Sequence, residues 1–148
     1  SFKATDLVTG KEVDESVFAQ NKVTVVSYWF NGCSACVNEM PILEQLQDQL
    51  GSQGVGVLGV NVEAASDEEL KKEAQEILSK QGVTYSNIAI DPDTDGAKVA
   101  NGIMAFPTTF LVDQNGNVIG EPMRGSINEL EGSELLQRVN DALAAAQS

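Results

Sequence analysis

Hydrophobic positions in this chain fall into short unbroken runs, separated by stretches in which they recur every three or four residues. That is the pattern of strands alternating with helices. Residues 2–6 (FKATD) and the turn around Thr9-Gly10-Lys11 predict a short strand and hairpin, and Asp14 is placed to cap a brief helix through Val17, Phe18 and Ala19. Val23, Val25, Val26, Tyr28 and Trp29 then form an apolar, β-branched run that reads as a buried strand over residues 23–29. After the break at Asn31-Gly32, Met40, Leu43, Leu46 and Leu50 recur at helical spacing, and the helix is expected to stop at Leu50-Gly51, glycine being the usual C-terminal stop. Residues 55–62 (VGVLGVNV) are nearly all apolar, as inside a parallel sheet. Two strands joined by a helix make a βαβ unit.

A second helix is predicted over residues 65–81, with Ser66 or Asp67 as its cap, an apolar stripe of Leu70, Ala74, Ile77 and Leu78, and Gly82 at its end. Its Glu68–Lys72 and Glu76–Lys80 pairs have helix-supporting spacing and form a solvated face. Residues 87–90 (NIAI) are a short strand. Asp91-Pro92-Asp93 turns, and Thr94 or Asp95 starts a short helix toward Val99-Ala100-Asn101-Gly102. A strand over residues 106–112 (FPTTFLV), a hairpin turn at Asp113-Gln114-Asn115-Gly116 and an antiparallel return over 117–121 follow. A last helix begins between Asn128 and Ser133, runs to about Ala146 and buries Leu135, Leu136, Val139 and Leu143. This order predicts an α/β fold in which a central mixed sheet carries helices on both faces. No linker or repeat divides the chain, so residues 1–148 are expected to form one domain.

Charge narrows the partners. Lysine and arginine total 9 against 22 acids, for a net charge of −13. Nucleic acid and anionic membrane surfaces repel such a chain and are excluded as direct partners; otherwise the charge does no more than keep the protein in solution. No apolar run reaches the ~18 residues of a membrane span.

The candidate chemistry sits where the first buried strand meets its helix. The chain's 2 cysteines, Cys33 and Cys36, open that helix. A helix N-terminus carries partial positive charge and unpaired N–H groups, so a thiol there ionises readily, and the thiolate is the reactive form. Cys33 is read as the nucleophile and Cys36, one turn on, as the resolving thiol. A structural zinc site normally takes four Cys or His ligands, and the chain has no histidine and no second cysteine pair, so metal is not expected. A purely structural disulfide would close a very short loop and stabilise little. Redox chemistry by the two thiols, without a cofactor, is the reading that remains.

Trp29-Phe30-Asn31-Gly32-Cys33-Ser34-Ala35-Cys36, followed by Glu39-Met40-Pro41 and much later by Phe106-Pro107-Thr108-Thr109-Phe110-Leu111-Val112-Asp113, resembles the thioredoxin superfamily. More narrowly it resembles the TlpA/ResA-like extracytoplasmic thiol-disulfide oxidoreductases, over almost the whole chain. The resemblance implies a thioredoxin-like fold with an N-terminal β extension and an extra helix after the second core strand. It implies that Pro107 is a cis proline lying against the active-site disulfide, with Phe106 pairing to an extended substrate segment; otherwise Pro107 only begins a strand. Many thioredoxins keep a buried aspartate behind the cysteines, but the strand up to Tyr28 holds no acid, and in the TlpA/ResA-like group a glutamate at the position of Glu39 fills that role. On a helix Glu39 approaches the side of Cys36, where a partly buried carboxylate would have a raised pKa and relay protons. The alternative is a solvated glutamate complementing the helix dipole.

Trp29 is expected to flank the site and offer partners an apolar contact, or else to be a core aromatic; for Tyr28, Met104 and Met123 core packing is the better reading. Ser34-Ala35 between the cysteines supplies no imidazolium, which argues against a strong oxidant. The expectation is a monomeric reductant working outside the cytoplasm, with membrane attachment left to a segment absent from this sequence. The resemblance suggests a membrane thiol donor upstream and an exported disulfide protein such as apocytochrome c as substrate. Two rivals stand beside it. One is a non-catalytic thioredoxin-fold binding module; the other is a peroxiredoxin, whose P-x-x-x-T-x-x-C setting is missing here.

Overall fold

Apolar runs in the centre of the chain become strands buried on both faces, and the periodic stretches between them become helices. The computed structural model describes residues 2–90 and 105–146. In chain order the elements are β1 (Lys3–Asp6), β2 (Glu12–Asp14), β3 (Val23–Trp29), α1 (Ser34–Leu50), β4 (Val55–Asn61), α2 (Glu68–Lys80), β5 (Ser86–Ile90), β6 (Thr108–Asp113), β7 (Val118–Arg124) and α3 (Glu134–Ala146). The strands form one 7-stranded sheet in the order β2-β1-β5-β4-β3-β6-β7. It is mixed: β3 runs parallel to β4 and β4 to β5, while β6 pairs antiparallel with β3 and the N-terminal hairpin antiparallel with β5. Every residue of β3 and of β4 is buried, as interior strands require.

Alternation along β3 splits the core in two. On one face Val23 and Val25, with Val55, Val57 and Leu111, meet Leu43, Leu46 and Leu50 of α1 and Leu135, Val139 and Leu143 of α3. The same face continues past Trp29 to Cys33, Cys36 and Met40, which pack with Ala74 and Leu78 of α2. On the other face Val26, Tyr28, Leu58, Val60 and Ile88 meet Phe2, Val17, Phe18 and Phe110. There a 3₁₀ turn, Glu15–Gln20, is capped by Asp14, whose side chain accepts from the Ser16 amide at 2.9 Å. The mixed α/β sheet with helical segments on both faces, the N-terminal β extension and the extra helix after the second core strand are all present. Tyr28 lies in the core and Met123 is half-buried against it.

Several details differ from the sequence expectation: β6 covers Thr108–Asp113 rather than residues 106–112 and β5 starts at Ser86, and others have a clear local reason. Helix α1 does end at Leu50, but Gly51 is right-handed and opens a 3₁₀ turn; the left-handed stop is Gly54, at φ 98°. Strand β7 runs on to Arg124 through Pro122, which is tolerated because β7 is an edge strand with a register shift opposite Thr109–Leu111. Leu136 is only half-buried and Ala142 takes its place in the core, because α3 begins at Glu134, after Gly132, with the Ser133 hydroxyl accepting from the Leu136 amide at 3.0 Å. Helix α2 starts at Glu68 because Asp67 is its cap, accepting from the Glu69 and Leu70 amides at 2.9 and 3.1 Å. The short helix expected between Thr94 or Asp95 and Gly102, and Met104, lie outside the described residues.

One glycine helps to position the end of β3. Gly59 on β4 lies directly opposite Asn87 on β5. A Cβ on residue 59 would stand 1.8 Å from Asn87 Oδ1, so only glycine leaves room for that carboxamide. Asn87 in turn accepts from the Trp29 indole N–H at 2.9 Å, fixing the last residue of the strand.

Candidate active site

Strand β3 ends at Trp29, and four residues later Cys33 is the N-cap of α1. Its backbone is extended, its N–H donates to the Phe30 carbonyl at 3.1 Å, and its own carbonyl accepts from the Val37 amide at 3.1 Å. The Cys33 sulfur takes the place of a capping oxygen, accepting from the Cys36 amide at 3.2 Å. Cys33 and Cys36 are joined as a disulfide, with Cα atoms 5.3 Å apart. The first turn of α1 holds no acid. When the pair is reduced, an amide N–H and the positive end of the helix therefore both face the Cys33 sulfur and favour its thiolate. Both cysteines are buried, Cys33 at 7% exposure and Cys36 at 3%.

Phe106-Pro107 is a cis peptide bond, and Pro107 is buried. The Pro107 carbonyl accepts from the Gly125 amide at 3.0 Å, tying this bend to the end of β7. Phe106 is half-buried, packs against the cluster that contains Cys33 and Cys36, and meets the Phe30 ring edge-on at 5.1 Å between centroids. Nothing among the described residues hydrogen-bonds to the Phe106 backbone.

Glu39 is 1% exposed, which removes the alternative of a solvated glutamate. It lies on the inner face of α1 one turn past Cys36. Its Oε2 accepts from the Ile127 amide at 3.0 Å, whereas Oε1 is buried with no hydrogen-bond partner among the described residues. Burial pushes its pKa up to about 7, the Ile127 bond only partly opposing this. Buried Tyr85 is raised well above the ordinary tyrosine range, first by burial and then by the Glu39 and Glu44 charges. Helix α1 continues through Pro41 because that residue is exposed and the backbone bond it removes lies on the solvent side.

Trp29 departs from its expected role. At 2% exposure it offers a partner no surface; it is a core aromatic beneath the cysteines, held by Asn87. The segment that carries Cys33 is held by residues that sequence reasoning missed. Asn61, at the end of β4 and fully buried, donates to the Asn31 side-chain carbonyl and accepts from the Glu63 and Ala64 amides, each at 2.9 Å. Asn31 donates its side-chain N–H to the Leu70 carbonyl of α2 at 2.9 Å, and its backbone N–H to Glu63 Oε1 at 3.0 Å. The available signal was an asparagine inside the apolar run VGVLGVNV, since a polar residue at a buried strand position must be satisfied. Asn61→Ala leaves two amides and the Asn31 carbonyl unpaired, so it is expected to destabilise the protein by about 2–4 kcal/mol. Urea denaturation of the oxidised protein measures this, and a loss below about 1 kcal/mol contradicts it.

Among the described residues no group of three or more His, Cys, Asp and Glu stands together in a metal-holding arrangement, and no helix is long and apolar enough to cross a membrane.

A family model described as Redoxin matches residues 1–135. The chain is 34% identical over 99 residues to the thiol-disulfide oxidoreductase ResA of Geobacillus thermodenitrificans, a match covering 67% of this chain and 53% of that one. It is 27% identical over 139 residues to ResA of Bacillus thuringiensis, covering 94% of this chain and 75% of that one. The chain thus spans about half the length of the first of these relatives. Among solved structures, a thiol:disulfide interchange protein of the thioredoxin family from Chlorobium tepidum superposes with a TM-score of 0.75 at 25% identity, covering 97% of this chain and 93% of that one.

Proposed function

The chain belongs to the Redoxin family, and on that footing we propose that it is a thiol-disulfide oxidoreductase that reduces the disulfides of protein partners through Cys33 and Cys36. The observation that carries this reading is the Cys33 sulfur itself. It caps α1, takes the Cys36 amide, is bonded to Cys36 and shares its apolar cluster with Phe106, which precedes the cis proline.

In the reducing direction the Cys33 thiolate attacks one sulfur of the substrate disulfide. That S–S bond breaks, a mixed disulfide forms on Cys33, and one substrate sulfur leaves as thiolate. Cys36 then gives up its proton and attacks the Cys33 sulfur, releasing the second substrate thiol and closing the Cys33–Cys36 bond. Two electrons have passed from the dithiol to the substrate. Glu39 accepts the Cys36 proton: a carboxylate with a pKa of about 7 exchanges protons at neutral pH in either direction. Phe106 and Pro107 receive the substrate chain, the Phe106 backbone, which has no hydrogen-bond partner among the described residues, pairing with it as a short added strand.

A membrane-bound thiol donor returns the pair to the dithiol state. The protein works as a monomer without a cofactor, outside the cytoplasm, on exported disulfide proteins such as apocytochrome c. The names of the ResA relatives support the thiol-disulfide exchange; the donor, compartment and substrate follow from the resemblance to the TlpA/ResA-like group. Reduction of insulin disulfides by the pre-reduced protein, beside its Cys33→Ser variant, tests the reading; equal near-zero rates in both overturn it in favour of a non-catalytic binding module.

A further inference from the structure

From sequence Trp29 reads either as an aromatic contact for partners or as a core aromatic; the structure buries it, and Phe30 is the neighbouring aromatic left half-buried. Phe30 leaves β3 and turns its ring toward residue 32. A Cβ at Gly32 would stand 3.6 Å from Phe30 Cε2 and 3.9 Å from Cδ2, so the ring edge borders residue 32 at ordinary contact distance. Gly32 is exposed and directly precedes Cys33, and Phe30 packs against the cluster that contains Cys33. The Phe30 carbonyl accepts the Cys33 amide at 3.1 Å, so ring and sulfur are held in fixed relation. Edge-on contact with Phe106, at 5.1 Å and an interplanar angle of 89°, joins the ring to the cis-proline bend. Both residues are half-buried and pack against the cluster that contains Cys33, Cys36 and Met40.

An aromatic pair that packs against the cluster of a reactive sulfur and is anchored on both sides is a rigid apolar ledge, inexpensive in entropy when a partner settles on it. The net charge of −13 adds a second preference, since acidic residues near the substrate's disulfide are repelled. We propose that Phe30, edge-on against Phe106 and bordering Gly32, is a substrate-contacting and specificity-determining residue that selects disulfides whose cysteine is flanked by an apolar side chain over those flanked by an acid. This rests on the oxidoreductase reading and deepens it.

The test is single-turnover reduction by the pre-reduced protein of two peptide disulfides, identical but for Leu or Glu beside the cysteine, together with hydroxyethyl disulfide, which has no side chain to lay on the ledge. The wild type is expected to half-saturate at about 10-fold lower concentration with the Leu peptide than with the Glu peptide. Phe30→Ala is expected to raise the half-saturating Leu-peptide concentration about 10-fold while the maximal rate, and the rate with hydroxyethyl disulfide, stay within about two-fold. Phe30→Leu is expected to keep most of the preference, being apolar but not flat. Normal wild-type turnover with no shift in half-saturation for Phe30→Ala overturns the assignment. So does a loss of equal size with all three disulfides, which makes Phe30 a loop support rather than a contact. A wild type inert toward all three disulfides overturns the oxidoreductase reading itself, and the ledge with it.

Discussion

Cys36→Ser protein, reduced and mixed with a disulfide partner, is expected to accumulate as a covalent mixed disulfide through Cys33, while Cys33→Ser forms no adduct and loses reductase activity on the order of a thousand-fold. The asymmetry follows from where the two sulfurs lie. Cys33 caps the helix and its sulfur receives the Cys36 amide, which favours its thiolate. Cys36 lies one turn inside the helix, bonded to the Cys33 sulfur, which in this assignment is its electrophile. Removing Cys36 therefore stops the reaction after the first exchange; removing Cys33 stops it before. Non-reducing electrophoresis and intact-mass measurement read the adduct directly. An adduct in Cys33→Ser and none in Cys36→Ser would reverse the assignment.

The second large effect is on stability and pH. Glu39 has its folded-state pKa raised from 4.5 to about 7 by burial. A raised carboxyl pKa means the folded state binds the proton more tightly than the unfolded chain. Stability from this group is thus fully present below pH 4.5, falls as pH rises toward 7 and levels off above it. The drop across that window is about 3 kcal/mol at 1.36 kcal/mol per pH unit. Other shifted groups fall outside it. Tyr85 moves upward from an already high value. Asp6 is raised by burial but lowered on balance by hydrogen bonds from Thr9, Ser86 and Val8, so it acts only at more acid pH. In the oxidised protein the cysteines have no proton to lose. Urea denaturation of oxidised wild type at pH 5 and pH 8 is expected to show most of the drop, and Glu39→Gln, which keeps an acceptor for the Ile127 amide, is expected to be nearly flat and more stable than wild type at pH 8. A Glu39→Gln protein with the wild-type pH slope contradicts the assignment.

Much of this site was legible in the sequence because its parts are local or punctuated. An apolar run followed by Asn-Gly and C-x-x-C is a strand handing two thiols to a helix start, and both the strand and the helix form there. The strand near Pro107 and the turn at Asn115-Gly116 were equally readable from their turn residues. What the sequence hid is set by long-range packing. Whether Trp29 or Phe30 faces solvent depends on β3 ending at residue 29, where the pleat turns Trp29 into the core, and no local signal separates two adjacent aromatics. The burial of Glu39 needs the segment after β7 to lie across α1 and present the Ile127 amide, a contact 88 residues away. Asn31, Asn61 and Glu63 act together only because β3 and β4 are neighbours and α2 covers their ends.

If Cys33 and Cys36 are a reducing dithiol, the equilibrium potential of the pair shows it most directly. The potential is read by titrating the protein with dithiothreitol redox buffers and counting free thiols by mass. Without a histidine between the cysteines, and with buried Glu39 charged above about pH 7 near Cys36, nothing beyond the helix cap stabilises the thiolate, so the dithiol gives up its electrons readily. A single two-electron transition near −270 mV, on the order of the thioredoxin value, is predicted; a value near −120 mV, about that of a strong oxidant, would contradict a reducing role.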